Sequence, residues 1–67
     1  MIGYGEKLRK LRGQRSQNFV AKAIGISPSS LGMYETEQRV PRDEIKVKLA
    51  NYYNRSVQFI FFNQNAT

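Results

Sequence analysis

Two short helical segments joined by a tight turn constrain this chain more than any other feature. Ser16 is placed to cap a helix over roughly 17–24, because its hydroxyl can accept from an amide that the first turn leaves unpaired. Val20, Ala21 and Ile24 form the inner face of that helix, and Gly25 can take the positive-φ conformation that ends it. Ser27 then caps a second helix over roughly 28–35, with Pro28 in the first turn, where a missing N–H costs nothing. Leu31 and Tyr34 point inward from it, which leaves Ser29, Ser30, Gly32 and Met33 on its outer side. Neither helix is long enough to persist alone in water. They must pack across one another, and the crossing demands a tight turn. Gly25 supplies the turn, Ala21 is small enough to permit close approach, and Ile26 fills the gap beneath.

Three further helices complete an all-α reading, with no convincing strand. Tyr4, Leu8 and Leu11 recur at i, i+4 and i+7, predicting a helix over roughly 4–12 that Gly13 breaks. Pro41, followed by Asp43 and Glu44 where the helix dipole favours anions, marks the start of a helix over roughly 41–53. Its inner face is Ile45, Leu49 and Tyr53 with Ala50 beside them, and Asn54 suits a left-handed cap. A short fifth helix runs from Ser56, its cap, through Val57, Ile60 and Phe61. The expected architecture is one compact five-helix domain spanning residues 1–67.

Sixty-seven residues bury only about 60% of their unfolded surface, so such a domain is marginal without help from a ligand or self-association. The chain has neither Cys nor His, which argues against a disulfide framework and a structural zinc site. It has no signal-peptide core, and its longest apolar run, residues 59–62, is far short of a membrane span. The expectation is a cytoplasmic protein with no cofactor, no metal and no membrane partner. An enzyme is not expected: there is no His or Cys, and a bundle of this size leaves little room for a concave pocket.

The formal net charge is +6, and its placement is informative. Residues 1–15 carry Lys7, Arg9, Lys10, Arg12 and Arg15 against Glu6. Residues 16–40 balance Lys22 and Arg39 against Glu35 and Glu37, and positive charge resumes in 41–67. A neutral centre flanked by cations suits a helix that enters the major groove while its neighbours hold phosphates. Arg9, Lys10 and Arg15 individually read as ordinary solvated charges.

Ser16-Gln17, Val20-Ala21, Ile24-Gly25-Ile26-Ser27, Ser30-Leu31 and Tyr34-Glu35 together resemble the Cro/repressor-type, or Xre-like, helix-turn-helix regulators. Leu11-Arg12, Pro41, Leu49-Ala50 and the stretch from Ser56 to Phe61 extend the resemblance over roughly residues 5–62. It implies a lambda-repressor-like bundle that binds double-stranded operator DNA, usually as a homodimer, in bacteria, phages or mobile elements. It further implies base contacts from Gln17, Pro28, Ser29 and Met33, and backbone contacts from Ser16, Asn18, Ser30, Arg39 and Arg42. Arg12 and Glu35 match a pair that bridges the first and third helices. Phe59 and Phe62, with Phe19, fall outside the expected core, and the first two suit a dimer seam.

Three positions depart from the family pattern. Glu37 stands where Gly is frequent, and Phe19 replaces a residue that is usually polar. Gly32 lies inside the recognition helix, where it costs about 1 kcal/mol relative to Ala. A close approach to DNA would account for it. The leading functional expectation is a transcriptional repressor on an inverted-repeat operator, located with the bacterial nucleoid. The alternative is an antitoxin-type or other protein-interaction module with secondary DNA binding, motivated by Phe19, Phe59 and Phe62. The length and the polar tail at 63–67 read as a complete small regulator, with a fragment of a longer repressor as the other reading.

Overall fold

The computed structural model describes residues 3–62, so the tail at 63–67 lies outside the described residues. Four α-helices are present: α1, Tyr4–Arg12; α2, Gln17–Ile24; α3, Pro28–Glu35; and α4, Asp43–Tyr53. A π-helical turn, Gln58–Phe62, closes the bundle. No strand occurs among the described residues, and no helix is long and apolar enough to cross a membrane.

Every element contributes to one core. Leu8 from α1, Val20 and Ala21 from α2, Leu31 and Tyr34 from α3, and Leu49, Ala50 and Tyr53 from α4 meet Ile60 and Phe61 of the terminal turn. Leu8, Val20, Leu31, Leu49 and Ile60 are fully enclosed. Each such aliphatic side chain contributes about 1.5–3 kcal/mol relative to exposure. The small α3 is held from two sides, by α1 and by α2.

Local chemistry ends the helices where the sequence places the breaks. Ser16 Oγ accepts from the Phe19 amide at 2.9 Å, and Ser27 Oγ from the Ser30 amide at 3.1 Å. After α2, Gly25 sits in the left-handed region (φ 83°), and the Ile26 amide reaches back to Ala21 O at 2.9 Å. This backward bond and the left-handed residue together satisfy carbonyls that a helix end would otherwise leave open. Asn54 (φ 58°) ends α4 the same way, with Arg55 N donating to Ala50 O.

Two expectations need correction. The fourth helix begins at Asp43, because Arg42 is extended (ψ 163°) and serves as the residue before the first turn. Pro41 is buried outside that helix. The fifth helix is capped as expected, with Ser56 Oγ accepting from Phe59 N at 3.0 Å, but it winds as a π-turn.

The departure at residue 37 has a structural explanation. Glu37 occupies the left-handed position after α3 (φ 62°), where Gln38 N bonds back to Met33 O at 2.9 Å. A non-glycine residue there pays a steric penalty. Its carboxylate, however, accepts from the Gly5 amide at 3.0 Å. The first turn of α1 has no side-chain cap of its own from Gly3, so Glu37 caps it from across the fold. The Tyr4 hydroxyl donates to Arg39 O at 3.1 Å and ties the same loop to α1. Glu37→Ala keeps the strained backbone and loses the cap, so denaturant unfolding should show a loss of about 1 kcal/mol. Glu37→Gly loses the cap but relieves the backbone and should fall less; an equal or larger loss would contradict this assignment.

Candidate nucleic-acid interface

The outer side of α3 is the surface that the rest of the bundle leaves uncovered. Pro28, Ser29 and Met33 are exposed there, and Ser30 is half-buried. Ser27 Oγ also donates to Ser30 Oγ at 2.9 Å, fixing that hydroxyl beside the cap. The opposite side of α3 buries Leu31, Tyr34 and Glu35. Orientation of the exposed side therefore follows from how the buried side is held.

Glu35 does most of that holding. Only 5% of the residue is accessible, yet its carboxylate is fully engaged. Arg12 Nε donates to Oε2 at 2.7 Å and Arg12 Nη2 to Oε1 at 3.0 Å, a two-pronged pair linking α1 to α3. Gln17 Nε2 donates to Oε1 at 2.9 Å, adding α2 to the same group. Hydrogen bonding to Glu35 raises the Arg12 pKa above its ordinary value, partly opposed by burial. Arg12 Nη1 also donates to Arg15 O at 2.8 Å.

Arg15 is more than the solvated charge expected from sequence. Its Nη2 donates to Leu11 O at 2.7 Å and its Nε to Arg12 O at 3.1 Å, capping the end of α1. The guanidinium also lies 5.3 Å from the Tyr52 ring centre and 5.5 Å from that of Tyr53. Lys10 meets Glu6 at 4.0 Å, one exposed turn away. No local pattern in the sequence announces the Gln17–Glu35 bond or the approach of Arg15 to Tyr52 and Tyr53, since these depend on how distant segments pack.

Two arginines share a cleft with Ser30 and Tyr34 of α3. Ser30, Tyr34, Arg39, Val40, Arg42, Glu44 and Ile45 line an open cleft of about 590 Å³. Arg42 is exposed and lies 3.9 Å from Glu44, a loose surface pair. Arg39 is exposed, and its carbonyl holds Tyr4.

The remaining sequence candidates divide between two roles. Ser16 is occupied as the α2 cap, and Asn18 is exposed one residue into that helix. Phe19 is 60% exposed. Phe59 and Phe62 are both exposed on the terminal turn, each beside a different lysine. Lys7 Nζ donates to Phe59 O at 2.7 Å and lies 4.9 Å from its ring, while Lys46 Nζ lies 4.7 Å from the Phe62 ring. Gly32 faces the Gln17 side chain: a Cβ there would stand 3.6 Å from both amide heavy atoms, in ordinary contact.

A short helix held by two others across a tight turn, with its outer side bare, has the layout of a helix-turn-helix domain. The family model described as helix-turn-helix matches residues 6–60, and the chain belongs to that family of Cro/repressor-type DNA-binding regulators. No curated protein and no solved structure gave a significant match.

Two measurements probe the support beneath α3. Arg12→Ala strands a buried carboxylate, so thermal and denaturant unfolding should show a loss of about 3–5 kcal/mol. A loss below about 1 kcal/mol would mean that the pair contributes little.

Tyr53 gives the second. Its buried hydroxyl has no hydrogen-bond partner among the described residues. Burial, reinforced by the Glu35 charge, pushes its pKa up from 10.0 to about 12. The folded state therefore keeps this proton at a pH where the unfolded chain releases it. The resulting stability is intact below pH 10.0 and disappears as pH rises toward about 12. Tyr53→Phe should abolish that part of the alkaline loss. At neutral pH it should leave stability unchanged or raised by on the order of 1 kcal/mol. A clear loss at neutral pH would show that the hydroxyl is satisfied in solution.

Proposed function

We propose that this protein is a transcriptional repressor that binds an inverted-repeat operator as a homodimer, with α3 in the major groove. The observation that carries the reading is the arrangement around α3. Its inner side is fixed by the Arg12–Glu35–Gln17 contacts, while Pro28, Ser29 and Met33 stand exposed on the other. Arg39 and Arg42 flank its N-terminal half across the cleft that Ser30 shares.

In this reading Gln17, Pro28, Ser29 and Met33 meet base edges. Ser29 offers a hydroxyl, whereas Pro28 and Met33 offer only apolar contact, for which a thymine methyl is the natural partner. Direct readout is accordingly sparse. Ser16, Asn18, Ser30, Arg39 and Arg42 meet the backbone, which fixes register and supplies affinity without sequence information. Ser16 would do so from the α2 cap, where its oxygen is already in use as an acceptor. Two copies would place their α3 helices about 34 Å apart, one turn of the duplex. Phe59 and Phe62 form the proposed seam, and the nucleoid is the proposed location.

A second reading, an antitoxin-type or other protein-interaction module, draws on the exposure of Phe19, Phe59 and Phe62. The two can coexist in one protein. Selection from a randomised duplex library at about 0.15 M salt separates them. An inverted repeat with half-sites one turn apart supports the dimeric repressor, a lone half-site removes the dimer, and no enrichment favours the protein partner. On an enriched duplex, Arg39→Ala and Arg42→Ala should each weaken matched and scrambled sites alike and lower the salt slope by about one unit. A loss confined to the matched site would instead make that arginine a base reader.

A further inference from the structure

We propose that Glu35 is a positioning residue for DNA contact, acting through the side-chain amide of Gln17; this rests on the DNA-binding reading above. Glu35 is almost wholly buried, and its side chain is 1% accessible. Both of its oxygens take hydrogen bonds from Arg12, and Oε1 takes a further one from Gln17 Nε2 at 2.9 Å. A carboxylate paired with a guanidinium offers acceptors and no donor. The Gln17 amide must therefore turn its nitrogen toward Glu35, since the opposite orientation would set oxygen against oxygen. Chemistry alone thus fixes a choice that electron counts seldom reveal.

The consequence falls on the other side of the amide. With one N–H committed to Glu35, Gln17 retains one N–H donor and its carbonyl acceptor. No other hydrogen bond engages that side chain among the described residues, and Gly32 leaves the amide uncovered where a Cβ would touch it. An amide held this way meets a duplex acceptor, either a phosphate oxygen through its N–H or adenine through N–H and carbonyl together. Without Glu35 the amide could rotate, and the ordering would have to occur on binding. The Arg12–Glu35 pair thereby extends from holding helices to aiming a contact.

The test uses the full chain with its glutamine side-chain nitrogens isotopically labelled, alone and with the duplex recovered by selection. Because every glutamine amide shows two distinct protons, the comparison is with the exposed Gln38: one Nε2 proton of free Gln17 should be shifted and slower to exchange than either proton of Gln38. DNA should move the other Gln17 proton and leave the protected one in place. A Gln17 pair that matches the Gln38 pair, or displacement of the protected proton by DNA, would overturn the proposal.

Binding supplies a second arm. Gln17→Met should weaken the selected duplex about tenfold. In a Glu35→Gln background shown by melting to be folded, the same change should cost less than about twofold, because the amide introduced by that substitution can itself turn and release the orientation. Equal losses in both backgrounds would overturn the positioning role while leaving DNA binding intact. If Glu35→Gln does not fold, the proton measurement decides alone. Loss on matched and scrambled duplexes alike identifies the phosphate, and loss on the matched one identifies the base; both support the aimed amide. Failure of the unmodified protein to bind any duplex overturns the repressor reading and this inference with it.

Discussion

The buried pair between Arg12 and Glu35 is the constraint on which the orientation of α3, and so of its exposed side, depends. α3 is a two-turn helix with only Leu31 and Tyr34 as apolar anchors in the core. Apolar packing fixes burial but is not directional. A two-pronged ion pair fixes rotation about the helix axis as well, because both prongs must align. Such a pair need not raise net stability, since taking its charges out of water is costly. Its value here is geometric: α1, α2 and α3 all meet at one carboxylate.

The surface so oriented is chemically spare. Pro28 and Met33 have no hydrogen-bond donor to offer a base, and Ser29 has one hydroxyl. The cations lie to the side, on the loop after α3 and around the cleft. If α3 enters the groove as proposed, affinity would come mainly from phosphates, and discrimination would rest on a few contacts together with the shape of the duplex. Any pre-ordering of those few contacts then matters in proportion.

The helices were legible where their ends carry chemistry. Ser16, Ser27-Pro28, Gly25 and Asn54 are local signals, and all four act as their residue types predict. α3 illustrates the point, because its apolar pattern is poor: it buries an acid, Glu35, and exposes Met33. Caps located it where periodicity could not. The Arg12–Glu35 contact came from the family resemblance, since nothing within either segment pairs residues 23 positions apart. The α4 boundary slipped because Pro41 fits a first turn equally well as a linker. The placement of Arg15 beside Tyr52 and Tyr53, the Gln17–Glu35 bond and the cleft were illegible for a shared reason: each forms only after distant elements pack.

The cap that Glu37 lends to α1 carries an evolutionary consequence. A Cβ on Gly3 would displace the Glu37 carboxylate, so a serine or aspartate at position 3 cannot coexist with this cap. Two solutions to one capping problem therefore exclude each other: a bare residue 3 with a distant acid, or a polar residue 3 with glycine at 37. Passing between them through glycine at both positions leaves α1 uncapped, whereas a polar residue 3 beside Glu37 caps the helix but leaves the left-handed Glu37 without its bond. The two sites, 34 positions apart in the chain, are expected to change together in descendants of this protein, and the better residue at either one depends on its counterpart.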